Sequence, residues 1–476
     1  MAQLEPMEPV PLIFSCDTED YETPASDDAE LLWARMFARH GIRACFCVVG
    51  EEARALRDRG RRDVLQALAG HEIASHSDMH SAHPTPAEYL DTLSWSEGVQ
   101  RFMAQEGRAV GDLCELLGQV PSAWFKPGNS WGAVVPYAAG LLGMPVFCDA
   151  PFEWAAGHPM WYAGGLLLKY HTSFDRYFRA PAGTRFEQMR ADFEELLAAR
   201  QAAAQESGTP PGAIVMFTHP CRTVTAAFPS NFTAGKETPR EAWQPAPLRE
   251  RAEVEALVRD FDSFLRWIVE LRASGRIELT TYRELYAAHR EPPAPWLPLE
   301  EVLGLARWLA NSERDVEPRR VMRQWLSPAE QFGVLAWALA RWSVTEALPA
   351  EVPVRRLLGP VELAARGAEE AEPGSGGQVS AGDALCAAAV ASERCSTEHA
   401  VPFRVAVGTT ALGPGRFLRL AARTLLTLAA GGGREGSVSV PGGGDATALA
   451  GREDFLRLRF RDTWSVFPPA FEGRRL

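Results

Sequence analysis

The sequence predicts an α/β fold: a mostly parallel sheet, open or closed into a barrel, followed by a mainly helical domain. Three observations predict it. Short apolar runs alternate with stretches of helical periodicity between residues 11 and 282, the pattern of parallel strands covered by helices. A chain of 476 residues, 46% hydrophobic and 23% charged, has apolar side chains enough for two or three folded units. After the Pro-rich stretch EPPAPW at 291–296, the pattern changes to Leu-, Ala-, Trp- and Arg-rich segments of helical period.

In order along the chain, residues 11–16 (PLIFSC) form a buried strand that stops at the acids Asp17, Glu19 and Asp20. DDAELLWARMFARHG has an Asp-rich start and a Gly stop, reads as a helix, and leads into the strand-like IRACFCVVG. A helix over 51–69, a polar His-rich stretch at 71–84 and a helix over 86–106 follow. Apolar runs at 143–148 and 213–218 are then separated by helical patterns. A helix over 248–273 and the strand IELTTY (277–282) complete a first domain placed at 1–290. Residues 291–298 read as a linker and 299–476 as the helical domain. In such folds the chemistry gathers at the carboxyl ends of the strands.

Within the second domain, SPAEQFGVLAWALARWSVTEALPAEVPV from Ser327 aligns without a gap on SAGDALCAAAVASERCSTEHAVPFRVAV from Ser380. Arg341 meets Arg394, Pro349 meets Pro402 and Val352 meets Val405. A helix leading into a short extended segment is thus duplicated, over 327–365 and 380–430. Its helix-Leu/Val-Pro-x-x-Val pattern resembles pseudomurein-binding-type repeats, which implies a ligand or protein partner for this part.

Acids outnumber bases by 61 to 49, a net charge of -12, leaving no electrostatic footprint for nucleic acid or an anionic membrane. No apolar run approaches the ~20 residues of a membrane span. Glu5, Glu8, Asp17, Glu19 and Asp20 precede the first basic residue, Arg35, whereas an export signal needs a positive start. The 8 cysteines are scattered and read as reduced structural thiols. A cytoplasmic location is the expectation.

Four groups of residues carry candidate chemistry. Asp17 and Glu19 point to the same side of an extended segment, where two carboxylates could ligate a metal and accept a proton. His76 and His80 stand i, i+4 in SHSDMH, a spacing that on one helical turn leaves them ~5–6 Å apart at Cβ and suited to one divalent ion. His71 and His83, in the same window, read as orienting or loop residues. His219 stands just past the apolar run AIVMFT, where an α/β enzyme puts a general acid.

Together and in this order, these elements resemble the polysaccharide deacetylases of the NodB-homology type, carbohydrate esterase 4, over residues 9–290. The family's T-F-D-D-G opening is similar to Ser15-Cys16-Asp17-Thr18-Glu19, and its second strand to Ala44-Cys45-Phe46-Cys47-Val48-Val49-Gly50. Its second motif is matched by Gly70-His71-Glu72-Ile73 followed by His76-Ser77-Asp78-Met79-His80. The third, F-R-x-P, is approximated by Phe125-Lys126-Pro127. The fourth resembles Asp149-Ala150-Pro151-Phe152-Glu153-Trp154, one residue longer and with Glu for the second Asp, and the fifth is Phe217-Thr218-His219. Because the family's adjacent Asp pair is spread here, either Glu19 or Asp20 could be the metal carboxylate, and strand alternation favours Glu19.

The resemblance implies a distorted (β/α) barrel of the NodB type and metal-assisted hydrolysis of an N-acyl group. The metal would sit on Glu19, His76 and His80, with zinc the first choice and cobalt, nickel or manganese the alternatives. Asp17 would be the base, with Lys126 stabilising its charge, and His219 the acid, oriented by Glu153. Asp149, Trp154 and Trp131 would contact substrate. The implied substrate is an N-acetylated sugar or polysaccharide precursor. The alternatives are a small linear or cyclic amide on the same site, or a degenerate deacetylase-like domain that binds glycans or protein partners without turnover.

Overall fold

The computed structural model describes residues 8–441 apart from 91, 92, 94, 129, 133, 151–156, 163–164, 230–237, 291–295, 312–318, 323, 327, 356, 358–376, 399–400 and 403. The first unit runs β1 (Val10–Thr18), α1 (Pro24–Arg39), β2 (Cys45–Val48), α2 (Gly50–Asp58), α3 (Arg62–Ala69), β3 (Glu72–Ser75), α4 (Pro86–Leu90) and α5 (Trp95–Leu117). It continues through β4 (Ala123–Phe125), α6 (Val135–Leu141), β5 (Val146–Cys148), β6 (Met160–Tyr162), β7 (Gly165–Leu167), β8 (Thr172–Ser173), α7 (Arg185–Ser207), β9 (Ile214–Thr218), α8 (Arg251–Ala273), β10 (Ile277–Leu279) and α9 (Tyr282–Arg290).

Among the described residues these strands form one sheet in the order β6-β7-β5-β4-β3-β2-β1-β9-β8, with β10 beside the start of β1. Every pairing in it is parallel except β6 with β7. Side-chain parity divides each strand between two faces. Leu12, Phe14 and Cys16 of β1, with Phe46, Val48, Ile73, Ile214 and Met216, join the core under α1, α3, α7 and α8. Trp124, Phe147 and Leu167 face α5 and α6.

The opposite parity gathers Ile13, Cys45, Cys47, Ala74, Phe125, Cys148, Leu166 and Val215 into one further cluster. Strands far apart in the sheet order, β7 and β9 among them, contribute to it, so the sheet is curled around a packed interior with helices outside. That is the distorted (β/α) barrel. Tyr282 and Leu285 of α9 plug one end of this interior.

The plug is held by polar contacts that the packing leaves few alternatives to. The Tyr282 hydroxyl lies 2.7 Å from the Ser15 hydroxyl. Glu72, fully buried at the start of β3, accepts hydrogen bonds from the Tyr282 and Arg283 N–H groups at 2.9 and 2.8 Å. Thr281 and Glu284 exchange hydrogen bonds in a capping box (2.9 and 3.2 Å), so the first-turn donors of α9 are satisfied.

The second unit comprises β11 (Trp296–Pro298), α10 (Leu299–Asn311), β12 (Arg319–Val321), β13 (Gln324–Leu326), α11 (Pro328–Thr345), β14 (Glu351–Pro353), β15 (Gln378–Ser380), α12 (Ala381–Glu398), β16 (Val405–Val407), β17 (Thr410–Leu412), α13 (Pro414–Ala429) and β18 (Ser437–Ser439). Among the described residues a strand-helix-strand order occurs four times, and the aligned stretches from Ser327 and Ser380 fall on its second and third occurrences. Short antiparallel pairs join β11 to β14, β12 to β13, β15 to β18 and β16 to β17. The helices pack crosswise, α10 on α13 and α11 on α12, around a core separate from that of the barrel. Of the segment read as a linker, 291–295 lies outside the described residues and 296–298 is β11. Among the described residues no helix is long and apolar enough to cross a membrane.

Replacing Glu72 by Ala leaves two amides of α9 without their acceptor. The expected cost is about 2–4 kcal/mol of barrel stability, measured as a lowered urea midpoint of the barrel transition. An unchanged midpoint would refute the role of Glu72 as the anchor of the plug.

Candidate metal centre

Parity along β1 sets the first part of the site. Ile13 and Ser15 point into the barrel, so Asp17 does as well, and Glu19 continues the same side just past the strand. Asp20 turns away. Its carboxylate accepts from Ser26 Oγ at 2.7 Å and from the Thr23 and Glu22 N–H groups at 3.1 and 3.3 Å, fixing the turn into α1. Pro24 then begins the helix at a position that needs no N–H. Of the two acids left open by the sequence, Glu19 is the one at the histidines.

His76 follows β3, one strand away from β1 across β2. The i, i+4 helical turn expected for His76 and His80 is not what forms. Residues 77–80 make a turn with Ser77 and His80 at φ 67° and 48°, and this brings the two rings to 4.8 Å between centroids. The turn is pinned from outside. Gly50 and Glu51 N–H donate to the Ser77 and Asp78 carbonyls at 3.0 and 2.9 Å, and Ser77 Oγ accepts from His80 N–H at 2.9 Å. Arg54, itself buried, binds the Asp78 and Asp112 carboxylates, both at 2.7 Å, and Glu51 at 2.7 Å. Glu106, whose pKa burial pushes up to about 7, accepts from Asp78 N–H at 3.0 Å.

Glu19 Oε2 lies 3.0 Å from His76 Nε2 and 2.9 Å from His80 Nε2, and donor atoms of all three lie within 4.8 Å of one another. Each of the three residues is buried. The second ring nitrogens are occupied: His76 Nδ1 is 3.3 Å from the Phe125 carbonyl and His80 Nδ1 is 2.7 Å from Ser81 Oγ. A carbonyl only accepts, so His76 carries its proton on Nδ1 and turns Nε2 toward the carboxylate. Two acceptors facing each other at 3.0 Å need a cation or a proton between them. The donor set fits a divalent ion, with both imidazoles oriented by outer hydrogen bonds as metal ligands are.

Asp17 and His219 flank this triad. Asp17 Oδ1 accepts from the Tyr170 hydroxyl at 2.5 Å, while Oδ2 lies 3.7 Å from His219 Nε2. His219 Nε2 is also 3.4 Å from Glu19 Oε1, and its Nδ1 is 2.6 Å from Asp175 Oδ2. Asp175 Oδ1 further accepts from the His219 N–H and from Thr218 Oγ1, both at 3.1 Å. Burial works against a charge on His219, but the carboxylates of Asp175, Glu19 and Asp17 outweigh it and raise its pKa to about 10. Burial raises Asp17, against the pull of His76 and His219. Glu19 is lowered: burial opposes its charge, and His219, His80 and His76 together overcome that.

Other expectations are redrawn. The carboxylate on His219 is Asp175, whereas Glu153 and Trp154 lie outside the described residues. Lys126 pairs with Asp149, Nζ to Oδ2 at 3.5 Å, and Asp149 Oδ1 accepts the Tyr170 N–H at 2.9 Å. Trp131 is fully buried in the core under α6, its ring 4.9 Å from that of Phe147, and so is packing rather than a substrate contact. His71 braces the barrel wall, with Nε2 2.9 Å from the Ala34 carbonyl and Nδ1 accepting from Ala44 N–H at 3.3 Å. Asp175 and Tyr170 were missed because no motif marks them. Their local signal was faint: the apolar run GLLL at 165–168, then KYHTSFD, an acid after a Ser-capped turn.

Metal analysis of the purified chain is expected to find about one divalent ion per chain. Glu19→Ala, His76→Ala and His80→Ala are expected to lose it, whereas Asp20→Asn keeps it with a lower melting temperature. Stoichiometric metal in the histidine variants would refute the site.

No protein-family model matches this chain, and no curated protein is similar to it in sequence. Among solved structures it is similar to a probable polysaccharide deacetylase from Pseudomonas aeruginosa PAO1, at 16% identity over 60% of this chain and 92% of that one, with a TM-score of 0.39. Puue allantoinase matches at 16% identity over 60% and 92%, TM-score 0.37. A wild-type CE4 family pseudoenzyme from Bacillus anthracis matches at 12% identity over 59% and 69%, TM-score 0.30.

Proposed function

We propose that this chain is a metal-dependent amide hydrolase of the polysaccharide deacetylase type, releasing the acyl group of an N-acetylated sugar or polysaccharide precursor. One observation carries the reading: Asp17 and His219 stand 3.7 Å apart beside the Glu19, His76 and His80 donors, each with a partner of its own behind it. A base and an acid beside one cation site are what hydrolysis of an unactivated amide needs. The motifs that resemble the family supply the same residues in the same order.

Glu19, His76 and His80 would hold the ion, zinc by preference for two imidazoles, a carboxylate and an open position. A divalent ion there supplies polarisation of the acyl carbonyl and a more acidic water. Asp17 Oδ2 takes the proton of the attacking water as its oxygen adds to the acyl carbon. His219 Nε2 gives a proton to the amine nitrogen as the C–N bond breaks, leaving a carboxylic acid and an amine. Asp175 fixes the ring by accepting from Nδ1–H and keeps the imidazolium charged.

Incubation with acetylated chito-oligosaccharides, compared with a panel of small linear and cyclic amides, is expected to release acetate from the sugars first. Turnover of small amides alone would move the substrate class, and glycan binding without any turnover would favour an interaction module. His219→Ala is expected to lower kcat about 10²- to 10⁴-fold with metal retained.

The pH dependence follows from the charges. His219 must be protonated to act as acid, so activity is present below its raised pKa and is lost as pH climbs through it. Asp175→Asn removes the strongest raising charge, and the alkaline limb of the kcat profile is expected to move to lower pH. An unmoved limb would refute the pairing.

A further inference from the structure

We propose that Tyr170 is the residue that positions Asp17 for proton transfer, with its backbone tethered to Asp149, the carboxylate that also takes the Lys126 ammonium. This rests on the hydrolase reading above.

The Tyr170 hydroxyl donates to Asp17 Oδ1 at 2.5 Å. Its ring has little freedom to do otherwise. It stacks face to face on Phe217, 4.0 Å between centroids and 8° from parallel, and packs on Phe125 at 5.9 Å. Its backbone N–H is fixed by Asp149 Oδ1 at 2.9 Å, and the other Asp149 oxygen takes the Lys126 ammonium at 3.5 Å. A planar side chain held on its ring faces and tethered at its own N–H leaves the hydroxyl one direction, and Asp17 stands in it.

The consequence falls on the other oxygen of Asp17. With Oδ1 engaged, Oδ2 is the atom turned toward His219, at 3.7 Å. A phenol is a neutral, single donor, whereas a guanidinium fork would engage a carboxylate with two donors and cancel its charge. Tyr170 thus orients the carboxylate while leaving one oxygen to accept. Phe217 lies in β9, two residues before His219, which follows the end of that strand. The ring stack therefore ties the orientation of the base to the strand that delivers the acid.

Tyr170→Phe in the metal-loaded full chain removes one hydroxyl and keeps the stack. The expected result is metal content and melting temperature as in the wild type, KM unchanged, and kcat lowered about 10- to 100-fold. A strongly downfield phenolic proton resonance is also expected in the wild type, absent from Tyr170→Phe and from Asp17→Asn. Wild-type kcat in Tyr170→Phe, or a resonance that survives there, would overturn the proposal while the hydrolase reading stands. Loss of metal or of melting temperature in Tyr170→Phe would overturn it too, by making Tyr170 structural. A wild-type chain that turns over no amide, with metal bound, overturns both.

Discussion

Everything at the strand ends depends on one electrostatic constraint, a carboxylate and two imidazole nitrogens brought within about hydrogen-bond distance of one another out of water. Left to themselves, such groups would keep their own solvent, and an unpaired buried charge costs several kcal/mol. The arrangement is affordable only if a cation or a proton sits among them and if the chain denies each group any other partner. The surrounding contacts do this. The Phe125 carbonyl commits His76 Nδ1, Ser81 takes His80 Nδ1, and the turn between them is gripped from α2 by backbone amides and by Arg54.

The same constraint explains how the proposed acid, His219, and the proposed base, Asp17, keep distinct partners although they stand 3.7 Å apart. His219 is drawn away by Asp175 on its far nitrogen and on its own backbone N–H. Asp17 is drawn the other way by Tyr170. Tyr170 follows β7, beyond β5, and Asp175 follows β8, beyond β9, so neither partner comes from the strands that lead to Glu19 and His76. Curling the sheet is what lets residues from both of its halves meet over one site. The packed interior and its Tyr282 plug are therefore conditions for the candidate site as well as for stability.

The second unit follows a different logic. Four copies of strand-helix-strand have strands of three residues each, too short to bury a helix face in isolation. They share one core instead, because α10 packs on α13 and α11 on α12, and the rings of Phe332 and Phe417 meet at 5.4 Å between the two halves. Alanines at 384, 387, 388 and 391 on one face of α12 let its neighbour approach closely.

The sequence by itself determined the alternation of parallel strands and helices, the two faces of β1, and the window in which His76 and His80 stand. Parity along 13–19 needs no tertiary information, since side chains of an extended chain alternate whatever lies around them, and this favoured Glu19 while leaving Asp20 open. The histidine window was legible because its residue types are scarce and closely spaced, although their local geometry was misread: the turn at 77–80 depends on Gly50, Glu51 and Arg54, far off in the sequence. Asp175 and Tyr170 had no motif to mark them. A carboxylate 44 residues away becomes the partner of His219 only because β8 pairs with β9, and a phenol 153 residues away the partner of Asp17 only because the sheet curls. Trp131 failed for the complementary reason, since an aromatic near a motif reads alike whether its ring faces a groove or a core, and only packing on Phe147 decided which.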